Sequence, residues 1–195
     1  MKHFLLEILG ERLSPEQNAW LHDALSTIGN TTDRDKIASL YTAASHKLGK
    51  LRLNLDRSER IDVPIDHWAT DDAGRALILL SLTDREPQDY AACVQRCYDL
   101  GDSREQQSWL RGLAVLPGGE LFIETAIDAC RTSILSVFEA IACENRYPAA
   151  YFPELNFNQM VLKCLFNGIE LSRVAGLSHR LNSELTRMAT EYAME

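Results

Sequence analysis

Six polar side chains, Asp128, Arg131, Glu139, Asn158, Gln159 and Lys163, fall in the part of this sequence where chemistry is easiest to read. Two cations, two carboxylates and two amides are the residue types that hold an anionic or polyhydroxyl group, and equally the types that neutralise one another between packed helices. In the run 154–167, apolar residues at 155, 157, 160, 161, 162, 164, 165 and 166 surround most of a helix axis, which predicts a helix buried on nearly every side. A buried amide without a partner costs about 1–3 kcal/mol, and a lone charge more, so Asn158, Gln159 and Lys163 must find partners. Gln159 and Lys163 stand four apart on one face, with Asp128, Arg131 and Glu139 as the natural candidates from neighbouring helices. Two readings stay open. In one, Arg131 and Lys163 are neutralised by Asp128 and Glu139 in a structural network, and Arg131→Ala costs several kcal/mol by stranding a carboxylate. In the other, Arg131 and Lys163 bind a ligand while Asn158 and Gln159 orient it.

No other group of residues competes with this one. Cys93 and Cys97 are four apart, as are Glu139 and Cys143, but neither pair has the second Cys or His pair that a zinc site requires, so no metal is expected. His3, His22, His46, His67 and His179 are scattered without triad or ligand spacing. The acidic stretch Asp56, Glu59, Asp62, Asp66, Asp71 and Asp72 lacks a calcium-loop pattern and reads as solvated charge, with Asp71 and Asp72 favouring the dipole of a helix opening at Thr70. Phosphate loops, dinucleotide fingerprints and nucleophile elbows are absent, and no cofactor is implied.

The elements that position these groups are helices. Ser14-Pro15-Glu16-Gln17 is a capping box opening a helix that ends at Gly29, and a further helix runs from about 33 to Gly49. Others start at Thr70, at Pro87 and at the Ser103/Gln106 box, then cover about 120–131, 133–145, 154–167 and 182–193. With the first segment, 1–12, this makes roughly ten helices and an all-α fold in a single domain, 1–195. Helix starts at Thr70, Ser103 and Ser133 are spaced by about one helical hairpin, which suggests either a HEAT-like α-solenoid of stacked antiparallel hairpins or an irregular helical bundle. The exception lies between Gly49 and Ala69. There Leu51, Leu53 and Leu55, then Ile61, Val63 and Ile65, alternate with polar residues, and Pro64 limits the second arm to an edge, predicting an extended surface segment.

Composition bounds the rest. With 195 residues, 46% of them hydrophobic, the chain buries a core without metal or disulfide. A formal charge of −8 has the wrong sign for a phosphate-backbone footprint, which argues against nucleic acid as a partner. Glu7 interrupts the first apolar run, and no stretch approaches the ~18 apolar residues of a transmembrane segment. Five cysteines, an odd number in apolar helical contexts, point to reduced thiols in the cytoplasm.

The C-terminal half resembles the EboA family. The residues that carry the resemblance are Asp128-Ala129-Cys130-Arg131-Thr132, Val137-Phe138-Glu139-Ala140-Ile141-Ala142, Phe152-Pro153-Glu154-Leu155-Asn156-Phe157-Asn158-Gln159-Met160-Val161-Leu162-Lys163, and the tail from Gly176-Leu177 through Leu185-Thr186-Arg187-Met188 to Ala193. They span about 104–193. Where the family pattern has Asn-Pro-Tyr-Pro, this chain has Asn145-Arg146-Tyr147-Pro148, a departure that should loosen the turn without removing it. The resemblance implies a bacterial gene cluster whose other products look like a prenyltransferase, a sugar-phosphate cyclase, a metal-dependent hydrolase and a sugar isomerase. Such clusters make or export secondary metabolites, including a sunscreen-pigment precursor moved towards the periplasm.

The expected role is therefore a non-catalytic helical accessory protein that binds another protein of the cluster or a small-molecule intermediate, a homodimer being a further possibility. The alternative is an enzyme acting on a cyclitol or prenylated intermediate, with Lys163 or Glu139 as acid/base and Arg131 as anion clamp.

Overall fold

A computed structural model describes residues 1–55, 63 and 65–194, and the described residues hold twelve α-helices and no strand. The all-α expectation is met. Two compact units, 1–122 and 123–195, make up the chain.

In the first unit, α1 (Lys2–Arg12), α2 (Pro15–Asn30), α3 (Arg34–Leu48) and α6 (Ser103–Gly112) pack around α4 (Thr70–Leu80), and α5 (Pro87–Asp99) lies on α3 and α6. The starts follow from side chains that satisfy otherwise orphaned amides. The Ser14 hydroxyl accepts from Gln17 N, while the Gln17 side chain accepts from Ser14 N. Asp33 caps α3 by accepting from Asp35 N and Lys36 N. At α6 the cap is Asp102 with Glu105, one residue before the expected Ser103/Gln106 pair.

All eleven residues of α4 are buried. Five consecutive apolar residues, Ala76 to Leu80, ring this helix and leave it no solvent face, so neighbours enclose it on every side. Thr70 is its first residue rather than its cap, and the hydroxyl donates to Leu48 O and Gly49 O where α3 ends. At Gly74 a Cβ would lie 2.1 Å from Leu48 Cδ1, so α3 and α4 approach too closely there for any larger residue. The helices establish the all-α class, and the Thr70 to Ser103 interval matches the observed starts of α4 and α6 without establishing HEAT-like stacking.

The 49–69 connection corrects the expected surface segment. Leu53, Leu55, Ile65 and Trp68 are buried, Leu53 N donates to Trp68 O, Thr70 N donates to Leu51 O, and Arg52 and Ala69 form an antiparallel bridge. Leucine and tryptophan side chains on both arms seal the core, which draws the ends inward. The Ile61 and Pro64 portion of the predicted alternation, with Asp56, Glu59 and Asp62, lies outside the described residues.

The second unit holds α7 (Ile123–Ala129), α8 (Leu135–Ala142), α9 (Tyr147–Tyr151), α10 (Glu154–Phe166), α11 (Leu177–Arg180) and α12 (Ser183–Met194). Helix α10 packs against α8 and α12. It is not buried on every side: Leu155 and Phe166 are exposed, as is Gln159. The Asn145-Arg146-Tyr147-Pro148 turn is held firmly, because the Asn145 amide donates to Ala140 O and its carbonyl accepts from Tyr147 N, while Arg146 projects outward. No helix among the described residues is long and apolar enough to cross a membrane.

Candidate functional site

Helix α7 stops at Ala129 and α8 starts only at Leu135, so Arg131 falls in the intervening loop instead of on a buried helical face. Its guanidinium pairs with Asp128 at 2.6 Å, and the two side chains are 74% and 69% exposed. The expected neutralisation of Arg131 and Lys163 by Asp128 and Glu139 across three helices is therefore not what the chain forms. Glu139 instead meets Arg173 at 2.8 Å, and Arg173 also grips Glu144 at 2.8 Å. Those two carboxylates hold the Arg173 guanidinium above its usual basicity despite partial burial. Asn158 is buried and makes a reciprocal amide pair with Asn182, at 3.2 and 3.0 Å.

Lys163 is half-buried. Its ammonium donates to Cys130 O at 2.7 Å and Thr132 O at 2.6 Å, and sits 4.7 Å from the centre of the Phe138 ring. Carbonyls just past the end of α7 carry partial negative charge, and a lysine there satisfies both.

Three of the six predicted residues come together. Arg131, Gln159 and Lys163 line a cleft of about 360 Å³ with Ile127, Cys130, Phe152, Asn156 and Met160. Asp128, Glu139 and Asn158 lie outside that lining. Asn156 was not singled out from sequence, although 156, 159, 160 and 163 follow a helical 3-4 spacing along one stripe of α10 and could have marked it. Ile127, Phe152 and Met160 give the cleft apolar walls; Asn156, Gln159, Arg131 and Lys163 add polar groups. The side-chain amides of Asn156 and Gln159 have no partner among the described residues. Burial pushes the Cys130 thiol up to about 12, against the opposing pull of Lys163 and Arg131.

A second polar group, in the first unit, escaped the sequence reading entirely. Asp71 and Asp72, expected as solvated charge, are 0% and 2% exposed because α4 is enclosed. Arg75 pairs with Asp71 at 3.1 Å and donates to Ser108 Oγ and Tyr41 O. Arg104 reaches Asp71 at 2.6 Å and Asp72 at 3.3 Å, and Arg111 reaches Asp72 at 3.2 Å. Glu105 lies 3.8 Å from Arg75. Three carboxylates face three guanidinium groups, and no buried side-chain polar atom among the described residues lacks a hydrogen bond. Burial alone would raise the Asp72 carboxyl, but the charges of Arg111 and Arg104, with the Ser108 hydroxyl and the Ala69 amide, hold it below its usual range. A neutral, mutually bonded set of this kind positions the helices that carry it.

Among the described residues no group of three or more His, Cys, Asp or Glu side chains could hold a metal ion. No curated protein and no solved structure matches this chain. A family model described as metabolite traffic protein EboA matches residues 1–195. A match running from the first residue to the last takes in the α7–α10 cleft and the enclosed α4 cluster alike: the chain belongs to the EboA family.

Proposed function

We propose that this protein is a non-catalytic accessory protein of metabolite traffic that holds a small-molecule intermediate of secondary metabolism in the cleft between α7 and α10. The observation that carries the reading is the lining itself: apolar walls with two cations and two amides that have no partner among the described residues, around about 360 Å³, a volume in the range of small-molecule sites. The lining contains no carboxylate or imidazole, and burial pushes its thiol up to about 12, which favours contact and hydrogen bonding as what the walls offer. Of the two acid/base candidates of the enzymatic alternative, Glu139 is engaged with Arg173 and absent from the lining, while Lys163 is in the lining with its ammonium engaged by Cys130 O and Thr132 O. Five free cysteines fit a reducing compartment, and we place the protein in the cytoplasm.

Native mass spectrometry of protein from its own host tests the reading. Wild type should retain a small molecule, and Gln159→Trp, which narrows the mouth from an exposed position, should lose it. Retention of the same mass by Gln159→Trp rejects the cleft as the site.

A further inference from the structure

The two cations of the cleft are held in opposite ways, and that difference identifies the class of ligand. Lys163 is fixed: two of its three N–H donors satisfy Cys130 O and Thr132 O, and the Phe138 ring packs against the ammonium, so it cannot leave without orphaning two carbonyls. Arg131 is loose. Among the described residues it pairs with Asp128 alone, which is nearly as exposed as it is, and an exposed pair of this kind holds its members together by no more than about fivefold in an equilibrium constant. Asp128 belongs to α7 but not to the cleft lining, so its carboxylate holds the guanidinium from outside.

Resting on the small-molecule reading above, we infer that the cleft selects an amphipathic small anion. Its carboxylate, phosphate or sulfonate head displaces Asp128 from Arg131 and takes the remaining N–H of Lys163, while its apolar body lies against Ile127, Phe152 and Met160. The Asn156 and Gln159 amides, three apart on the same stripe of α10, hydrogen-bond the polar atoms that join head to body. Asp128 then acts as a built-in competitor for the ligand head. Guanidinium suits this exchange because its planar fork accepts a carboxylate, phosphate or sulfonate in the same bidentate manner.

The test uses full-length protein carrying ¹³C-methyl methionine, with Met160 as the reporter inside the cleft. The probes are 1-anilinonaphthalene-8-sulfonate, its uncharged relative N-phenyl-1-naphthylamine, and inorganic phosphate. The sulfonate should shift the Met160 methyl. Arg131→Gln should weaken that binding about fivefold or more, and Asp128→Asn should tighten it about threefold. The uncharged probe should bind at least several-fold more weakly than the sulfonate and be indifferent to both variants, and phosphate alone should leave Met160 unmoved. Equal binding of charged and uncharged probes at Met160, unaffected by either variant, overturns the anion inference while leaving the cleft a binding site. Phosphate matching the sulfonate overturns the amphipathic part. If none of the probes moves Met160, the cleft reading fails together with the inference. Both variants replace highly exposed side chains, and a circular-dichroism melt superimposable on wild type confirms that folding is not what changed.

Discussion

Arg131 and Arg75 are both arginines paired with an aspartate on the same stretch of chain, three or four residues away, yet they have opposite worth. The Arg131–Asp128 pair lies in water, so Arg131→Ala should change unfolding free energy by less than about 1 kcal/mol. Arg75 is 1% exposed against a fully buried Asp71, and Arg75→Met should cost about 3–5 kcal/mol by leaving charge without compensation. Urea titration of the two variants checks both, and a large loss at Arg131 with none at Arg75 would contradict the geometry. Asp72 adds a pH signature. Its carboxyl is lowered in the folded state, so its contribution is present above its ordinary value of 3.8 and is lost as pH falls through the lower folded value. The stability gap between wild type and Asp72→Asn should therefore be constant near neutrality and shrink below pH 3.8. Gln159 and Lys163 could be grouped from sequence because α10 carries them four residues apart on one face, whereas Arg131 reaches the same cleft from the loop after α7, which spacing alone does not show. Sequence reasoning misjudged Asp71 and Asp72 because two acids in a first helical turn look alike whether the turn meets water or arginines 32 to 40 residues further on. The missed clue was the unbroken apolar run that follows them.

Helix starts were legible wherever a side chain closes an amide, as at Ser14 and Asp33, since those contacts span only two or three residues. The short α9 and α11 were not, because five and four residues give too little periodicity to separate from a loop. Where elements cross, glycine marks the spot. Gly74→Ala gains up to about 1 kcal/mol of helix propensity but drives a methyl into Leu48, whose side chain is itself buried, and overpacking of about 1–3 kcal/mol should win. Gly176 precedes α11 at φ +76°, and a Cβ there would stand 2.6 Å from Ala149 Cβ. Gly176→Ala should be destabilising on both counts, backbone and clash, so of the two variants it should melt lower. Differential scanning calorimetry decides the order.

Across the whole molecule, the described cysteines are free, and four of the five are buried. Burial carries Cys97, Cys130 and Cys143 to about 12 from an ordinary 9.0, which cuts their thiolate fraction about a thousandfold. At pH 8 a chromogenic disulfide reagent should therefore titrate the native protein slowly and the guanidinium-unfolded protein at once, with five equivalents released. Fast reaction of several native thiols would mean that the helices around them open easily.

The charges enclosed on α4 also impose an order on synthesis. Asp71 and Asp72 leave the ribosome 32 to 40 residues ahead of Arg104 and Arg111, and until those arginines emerge Arg75 is the one cation of the cluster at hand for two carboxylates, so the set stays hydrated. A nascent chain halted before residue 103 should stay open and protease-sensitive despite holding five of the six helices of its unit, and should close abruptly once α6 has cleared the exit tunnel.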